Sequence, residues 1–262
     1  MSVPALERGI AILRLFRRDR SHLTAPQVAA ELSLPRSTVH RLLVELEGLG
    51  LVRREGEGRF ALDSGVLLLG FEYLASQDIV ALASPVLEQL RDETNWSTHL
   101  AIRQGVSIVY LSRFASRAAV TRNVAVGSSL PAHATLMGRL LLSDLEPTEL
   151  LALYDGAVLE RVTPDTPVDL GELQRLIQQD RERGYAASTG FYEPGVRTIA
   201  APIRDASLKI VAAINGTAVN DEGIAMAQAM APIRAAADRI SRLLGAPETA
   251  ETREMIGELK CR

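Results

Sequence analysis

The chain has 262 residues, of which 47% are hydrophobic and 23% are charged, as in ordinary soluble globular proteins. Single hydrophobic cores stop growing near roughly 250 residues, so we expect two domains. The net charge is −3 and the sole cysteine is Cys261, which excludes a disulfide within one chain. No apolar run approaches the roughly 18 residues that span a bilayer, and the first residues contain no apolar signal core. We therefore expect a soluble, cytoplasmic protein without a membrane partner.

The charge is divided unevenly along the chain. Residues 1–62 contain 10 arginines and no lysine against 7 acidic residues, a net charge of +3. The remaining residues contain 19 basic and 25 acidic ones, a net charge of −6. The planar guanidinium group forms forked hydrogen bonds with phosphates and guanine edges better than an ammonium group does. The N-terminal segment therefore favours contact with nucleic acid, although ordinary domains also reach +3 by chance.

Apolar periodicity predicts three helices in this segment. The first covers 5–17, and its expected buried stripe is Leu6, Ile10, Leu13 and Phe16. Thr24 precedes Pro26 and Gln27 at the spacing of a capping box, which starts a second helix. Its expected buried stripe is Ala25, Val28, Ala29 and Leu32. A third helix follows Pro35 and extends to about Gly48. Its expected buried residues are Val39, Leu42, Leu43 and Leu46.

The outer face of the third helix carries short polar side chains and arginines near the helix N-terminus. A recognition helix in the major groove of DNA uses such residues, and an exposed valine can meet a thymine methyl. The alternative is a solvated surface helix, where Ser, Thr and Arg are also common. The candidate DNA-contacting residues of this helix are Arg36, Ser37, Thr38, His40, Arg41 and Val44.

A short hairpin follows the third helix directly. Residues 51–54 and 59–62 have the composition of strands, and the Gly-rich residues 55–58 between them predict a turn. A helix-turn-helix followed by such a hairpin is the winged form, and wing arginines can reach backbone phosphates. The candidate phosphate contacts are Arg53, Arg54 and Arg59. Residues 1–63 are therefore predicted to form a winged helix-turn-helix DNA-binding domain.

Residues 64–78 are predicted to form a linker and dimerisation helix. The run 66–74 is apolar nearly all round, so a helix here needs cover on several sides. Either the rest of the chain buries it or it pairs with its copy in a partner chain. We favour pairing with a partner chain.

Residues 79–245 mix helices and strands and predict an α+β domain, an antiparallel sheet flanked by helices. A helix, or a pair interrupted by Pro85, begins at Ile79, and residues 97–103 and 107–113 form a hairpin. The further helices are expected near 132–143, 169–183 and 221–244, and the further strands near 196–204 and 210–217. Residues 246–262 form a charged tail.

The residues of an enzyme or metal site are not evident in the sequence. The histidines His22, His40, His99 and His133 have no metal-ligand spacing, and no nucleotide-binding or nucleophile motif is present. We expect no enzyme activity, no catalytic residue, no metal and no cofactor. The loop 130–135 leads into a helix whose first backbone N–H groups could bind a carboxylate, the alternative being a capped surface helix.

Five stretches of the chain resemble one family. LERGIAILRLF (6–16), LTAPQVAAELSLPRSTVHRLLVELEGLGLV (23–52) and GRFAL (58–62) resemble the DNA-binding domain of IclR-family bacterial regulators. SLPAHATLMGRLLL (129–142) and GFYEPGVRTIAAPI (190–203) resemble two signatures of that family's effector domain. The resemblance implies a GAF-like effector domain and a homodimer, or a dimer of dimers, on a pseudo-palindromic DNA operator.

The same resemblance implies an effector pocket. Its candidate residues are Ala119, Arg122, Leu136, Met137, Ser188, Thr198, Asn215 and Thr217. Ser188 stands where an acidic residue is common, so the pocket is expected to be neutral and to suit a small organic acid. Arg122 could clamp a carboxylate, or it could be an exposed loop arginine. The stretch 113–139 most resembles the branch that senses protocatechuate and related aromatic acids.

The sequence therefore predicts a DNA-binding transcriptional regulator, a repressor or an activator, whose activity a small organic acid controls. A catabolic operon is the expected target. The alternatives are a DNA-binding architectural protein without a ligand and an enzyme that uses the C-terminal domain.

Overall fold

Residues 3–17, 19–116, 124–219 and 223–247 are described by the structure, a computed structural model. Contacts divide the chain into two units between Gln77 and Asp78. Among the described residues, no single helix is long and apolar enough to cross a bilayer. The helices Gly65–Ala75 and Asp78–Thr94 meet the length and composition of a span only when they are taken together.

The first unit packs helices against a small antiparallel sheet. Its elements are α1 (Pro4–Leu15), β1 (His22–Thr24), α2 (Ala25–Glu31), α3 (Arg36–Gly48), β2 (Val52–Glu55), β3 (Arg59–Leu62) and α4 (Gly65–Ala75). The strand order is β1-β3-β2, so β1 completes the β2–β3 hairpin as a third strand. The core contains Val28 of α2, Leu43 of α3 and Phe60 of β3. Helices α2 and α3 followed by this hairpin confirm the predicted winged helix-turn-helix.

The buried face of α1 differs from the predicted one. Leu6 and Ile10 are 65% and 41% exposed, whereas Ile12 and Phe16 are buried. Gly9 lies on the buried face, and a Cβ atom added there would lie 4.0 Å from Leu46 Cδ2 of α3. The predicted stripe was therefore wrong for Leu6 and Ile10. The apolar residues of α1 form one wide arc, so periodicity alone did not identify which part of it packs against α3.

Two further sequence predictions concern the start of α2 and the continuity of the helix that contains Pro85. At the start of α2, the backbone N–H of Thr24 donates to Gln27 Oε1 at 2.8 Å, which is one half of the predicted capping box. The Thr24 hydroxyl donates to the same oxygen at 3.0 Å. In the second unit, α5 (Asp78–Thr94) is one continuous helix with Pro85 inside it, so the alternative of an interrupted pair is excluded.

The second unit contains a six-stranded antiparallel sheet. Its elements are α5, β4 (Ser97–Gln104), β5 (Ser107–Phe114), β6 (Ser129–Pro131), α6 (Leu136–Leu142), α7 (Pro147–Leu153), α8 (Leu170–Arg183), β7 (Ala186–Thr189), β8 (Val196–Arg204), β9 (Ile210–Val219) and α9 (Met226–Leu243). The strand order is β6-β5-β4-β9-β8-β7, and all pairs are antiparallel. This confirms the predicted α+β class with an antiparallel sheet.

The sheet separates two groups of helices. Helices α5 and α9 pack on one face, where the Thr98 hydroxyl donates to the Leu87 carbonyl at 2.8 Å. Helix α6 packs on the other face with α8 behind it, and this side holds the larger core. Strands β6 and β7 at the two edges were not predicted. They are short and form by pairing with β5 and β8 rather than through a strand-like sequence of their own.

The start of α6 requires a glycine. A Cβ atom on Gly138 would lie 2.1 Å from the carbonyl oxygen of Ala132, far inside van der Waals contact. The 3-10 turn Ala132–Ala134 therefore packs directly on the first turn of α6. This close approach fixes Leu136 and Met137 against the sheet.

Candidate functional site

The outer face of α3 presents most of the predicted DNA-contacting residues to solvent. Arg36, Ser37, His40, Arg41 and Val44 are exposed, and Thr38 is half-buried. Their opposite neighbours Val39, Leu43 and Leu46 are buried, as predicted from the helical period.

The two arginines of α3 are available to a partner. Within the part of the chain that the structure describes, no carboxylate pairs with Arg36 or Arg41. Guanidinium groups without an ion pair can donate to base edges or phosphates without first losing a partner.

The wing arginines, in contrast, each pair with a glutamate. Arg53 lies 2.9 Å from Glu55, Arg54 lies 3.2 Å from Glu47, and Arg59 lies 3.3 Å from Glu57. The three arginine side chains are about half exposed, and exposed ion pairs of this kind contribute about 0–1 kcal/mol. A phosphate could therefore replace each glutamate at small cost. The sequence prediction did not anticipate that the three glutamates neutralise the wing.

Helix α4 exposes an apolar surface. None of its residues is buried, and Leu67, Leu68 and Leu69 are 73%, 68% and 67% exposed. Phe71 and Tyr73 are exposed as well. In soluble proteins, an exposed surface of adjacent large apolar side chains commonly marks an interaction site.

The second unit encloses a cavity of about 330 Å³ between the sheet and α6. Of the predicted pocket residues, Leu136, Met137, Thr198, Asn215 and Thr217 line it together. Ala119 and Arg122 lie outside the described residues. The lining residues that were not predicted are Ser97, His99, Tyr110, Arg113, Val124, Leu130, Thr135, Phe191, Tyr192, Glu193 and Val196.

Strand register explains why polar residues converge in this cavity. His99 of β4 is the direct partner of Arg113 on β5 and of Asn215 on β9. Directly paired residues of antiparallel strands point to the same face. In the next row, Thr217 is the partner of both Ser97 and Thr198. Two rows of polar residues therefore cross the sheet under α6.

A β-bulge brings one further residue to the cavity. Leu100 pairs with Ser112 and Ala101 pairs with Tyr110, so Leu111 has no partner in the ladder. Tyr110 and Arg113 are three residues apart, which would place them on opposite faces of a regular strand. The extra residue restores both to the cavity face. Simple alternation could not have found this pair.

His99 is neutral in this cavity. Its Nδ1 lies 2.8 Å from Asn215 Oδ1, and its ring meets the Tyr110 ring edge-on at 5.6 Å. The pKa of His99 is lowered to about 4, mainly by burial; the Asn215 contact opposes this shift, and the positive charge of Arg113 adds a smaller lowering. When Nδ1 carries the proton and donates to Asn215, Nε2 is left as a hydrogen-bond acceptor. Burial also raises the pKa of the Tyr110 phenol, which therefore stays protonated.

Arg113 brings to the cavity a buried donor atom that has no partner within the described part of the chain. Its Nε is buried and has no hydrogen-bond partner among the residues that the structure describes. A buried guanidinium donor without a partner is costly, which is why such groups usually have a ligand, an ion or a water as partner. Arg113 is therefore the cation that the described residues place in the cavity, and Arg122 lies outside the described residues.

The predicted carboxylate site at the start of α6 is partly closed. The Thr135 hydroxyl accepts the Gly138 N–H at 3.0 Å, so a side-chain cap already uses this donor. The capped alternative applies to that N–H group. Leu136 and Met137 lie in the same first turn of α6 and line the cavity.

Ser188 does not line the cavity, although it is the direct strand partner of Thr198. It lines a separate cleft of about 320 Å³ with Arg139 and Asp180. Phe191 lines both the cavity and this cleft, and it stands between them. The resemblance to the family, read position by position, suggested Ser188 as a pocket residue but took no account of the Phe191 ring.

Among the described residues there is also no group of three or more His, Cys, Asp and Glu residues that could hold a metal ion.

Two family models match the chain. The IclR helix-turn-helix domain matches residues 5–56, and the bacterial transcriptional regulator IclR C-terminal domain matches residues 71–242. Among curated proteins, the Pca regulon regulatory protein of Pseudomonas putida is 34% identical over 212 residues, 80% of this chain and 72% of that protein. The transcriptional repressor AllR of Salmonella typhimurium is 33% identical over 212 residues, 80% of this chain and 78% of the repressor.

Solved structures agree with the sequence matches. A transcriptional regulator from Rhodococcus sp. RHA1 is 34% identical and superposes with a TM-score of 0.77, covering 93% of this chain and 98% of its own. An IclR homologue from Microbacterium hydrocarbonoxydans, crystallised with 4-hydroxybenzoate, is 27% identical with a TM-score of 0.79, covering 92% and 98%.

The named relatives are regulators, and none is named as an enzyme. The winged helix-turn-helix and the sheet domain with its cavity both fall within the matched ranges. The chain therefore belongs to the IclR family of bacterial transcriptional regulators, in which a DNA-binding helix-turn-helix domain precedes a ligand-binding C-terminal domain.

Proposed function

We propose that this regulator binds a pseudo-palindromic operator as a homodimer and that a small aromatic carboxylic acid in the second unit's cavity controls this binding. The observation that carries the proposal is the buried Nε of Arg113, which lacks a hydrogen-bond partner among the described residues. A carboxylate would supply the missing acceptor and a compensating charge in one group.

The rest of the cavity suits a ring with polar substituents. Leu130, Leu136, Met137 and Phe191 supply apolar walls, and a volume of about 330 Å³ is at the lower end for small-molecule sites. The neutral His99 and the hydroxyls of Thr198 and Thr217 can exchange hydrogen bonds with a ligand hydroxyl. The relative crystallised with 4-hydroxybenzoate and the relative named for the Pca regulon support an acid of this class.

The exposed apolar surface of α4 supports the dimer. A copy of the same helix would cover it and would set two α3 helices at a fixed spacing, as half-sites of a pseudo-palindrome require. A dimer of dimers remains an extension of this proposal. We further propose that the operator controls a catabolic operon. Since the protein must reach this DNA, we also propose that it acts in the cytoplasm.

Calorimetry tests the effector site. We expect 4-hydroxybenzoate or 3,4-dihydroxybenzoate to bind the wild-type protein, and 4-hydroxybenzamide, the neutral isostere, to bind at least tenfold more weakly. Arg113→Ala should remove the preference for the acid over the amide. Arg103→Ala is the matched control, since Arg103 is an arginine of the same hairpin that does not line the cavity. Equal acid binding by Arg113→Ala and wild type would exclude the clamp.

DNA binding must respond to the same ligand. By linkage, if the bound acid changes the affinity for the operator, the bound operator changes the affinity for the acid by the same factor. The corresponding coupling free energy is commonly about 1–3 kcal/mol. Operator titrations with and without the acid measure this coupling. If bound acid leaves operator affinity and transcription unchanged, the protein is a DNA-binding protein without effector control.

A further inference from the structure

Phe191 forms a wall between the cavity and the neighbouring polar cleft. Thr198 and Ser188 are directly paired on adjacent strands, yet Thr198 lines the cavity and Ser188 lines the cleft. The Phe191 ring contributes to the lining of both spaces. A single side chain therefore divides a continuous row of the sheet into two compartments.

The ring is held from its far side. The Arg139 guanidinium carbon lies 4.4 Å from the centre of the Phe191 ring, within the range of a cation–π contact. Arg139 is itself buried, and its Nε donates to Asp180 at 2.7 Å. The Thr163 hydroxyl donates to the Phe191 carbonyl at 2.6 Å and fixes the backbone. A side chain anchored on both its ring and its backbone does not yield readily to a ligand.

The two compartments differ in chemistry. The cavity combines extensive apolar walls with Arg113, Glu193 and the two rows of polar residues, whereas the cleft is lined mostly by charged and polar groups, among them Asp180, Arg183 and Ser188. Each has a volume of about 320–330 Å³. Without the Phe191 ring, a ligand with its carboxylate at Arg113 could extend over Thr198 and place a polar far end beside Ser188.

We propose that Phe191 determines effector size, so that it admits single-ring acids and excludes longer ones from the cleft behind it. This inference rests on the proposed effector site and adds the residue that sets its length limit. The chemical class excluded by the wild-type protein is an elongated aromatic acid with a polar group at its far end.

The test compares 4-hydroxybenzoate with 4′-hydroxybiphenyl-4-carboxylate by calorimetry on wild type, Phe191→Ala and Phe191→Leu. Both variants should bind the biphenyl acid at least tenfold more tightly than wild type, with the larger gain for Phe191→Ala. Their affinity for the single-ring acid should fall, because they lose ring contacts. Phe191→Leu keeps more of the packing, and thermal melts establish that each variant is folded.

Leu130→Ala is the matched control. Leu130 lines the cavity but not the cleft, so its truncation adds volume without joining the two spaces. It should give no comparable gain for the biphenyl acid. Folded Phe191 variants that bind the single-ring acid without gaining the longer one would overturn the inference, as would an equal gain in Leu130→Ala. Failure of the wild-type protein to bind any aromatic acid would instead overturn the proposed function.

Discussion

His99 and Arg113 are direct cross-strand partners in the β4–β5 hairpin, and both line the cavity of the effector domain. The pairing places a permanent cation beside a histidine that is already buried. Burial, reinforced by this charge, keeps the histidine neutral, and we propose that the arginine is the positive group that a ligand meets.

The first prediction concerns acid stability. His99 has a pKa of about 4 in the folded protein and an unperturbed value of 6.5, so the unfolded chain binds the proton more tightly. The contribution of neutral His99 to the free energy of unfolding is fully present above pH 6.5 and is lost as the pH falls from 6.5 towards 4. The loss attributable to this group is up to about 3 kcal/mol. Urea unfolding at pH 7 and pH 4.5 measures it.

His99→Gln is the control for this pH effect, because glutamine can still donate to Asn215 but does not titrate. Its free energy of unfolding should fall less than that of wild type between the two pH values. An identical fall in both proteins would assign the pH effect to other groups.

The second prediction concerns base recognition by α3. Arg41 is exposed and has no ion pair within the described ranges, so its guanidinium can donate to a base edge. Arg41→Ala should weaken operator binding by about 1–3 kcal/mol and relax the preference at one base position. Binding to a library of operator variants measures both effects. A uniform loss across all variants would make Arg41 a phosphate contact.

The third prediction concerns the wing. Glu57 pairs with Arg59 and is the most exposed carboxylate of the wing pairs. Glu57→Gln removes a negative charge that opposes phosphate binding, so DNA affinity should rise for all sequences alike. The salt dependence of binding should steepen, since the freed arginine displaces one more counterion. Arg59→Ala should have the opposite effect on both quantities. Unchanged affinity in Glu57→Gln would place the wing tip away from the DNA.

The fourth prediction concerns the exposed surface of α4. Leu68→Glu introduces a charge into a surface that we propose is covered by a partner chain. Analytical ultracentrifugation should show a shift towards monomer, and operator affinity should fall because single half-sites bind weakly. Val158→Glu serves as the control, since Val158 is an exposed apolar residue of the second unit. A dimer that persists in Leu68→Glu with wild-type affinity would require another interface.

Local sequence signals were enough for the DNA-binding unit. The features that were predicted correctly depend on residues close in the chain. They are the contact of Gln27 with the start of α2, the helical spacing of the buried Val39 and Leu43 in α3, and the Gly-rich wing turn. Their periodicity and spacing therefore carry the fold. The buried face of α1 is the exception, because packing against Leu46 rather than local pattern selects it.

The effector cavity depended on long-range register. The sequence with its family pattern suggested Leu136, Met137, Thr198, Asn215 and Thr217, which the structure brings together. Arg113 could not be foreseen, because a one-residue bulge changes the face to which it points.

The amino-acid sequence by itself determined the order of the two domains, the helix-turn-helix and the presence of Thr198 and Thr217 in the cavity lining. The expectation of a neutral lining was wrong, because Glu193 lines the cavity as well. Only the tertiary structure decided which cation of the described residues lines the cavity and where the cavity ends. The reason is physical: a bulge in β5 turns Arg113 towards the cavity, and the Phe191 ring, packed on Arg139, separates the cavity that Thr198 lines from the cleft that Ser188 lines. Both depend on contacts between strands and helices far apart in the chain, which no local pattern encodes.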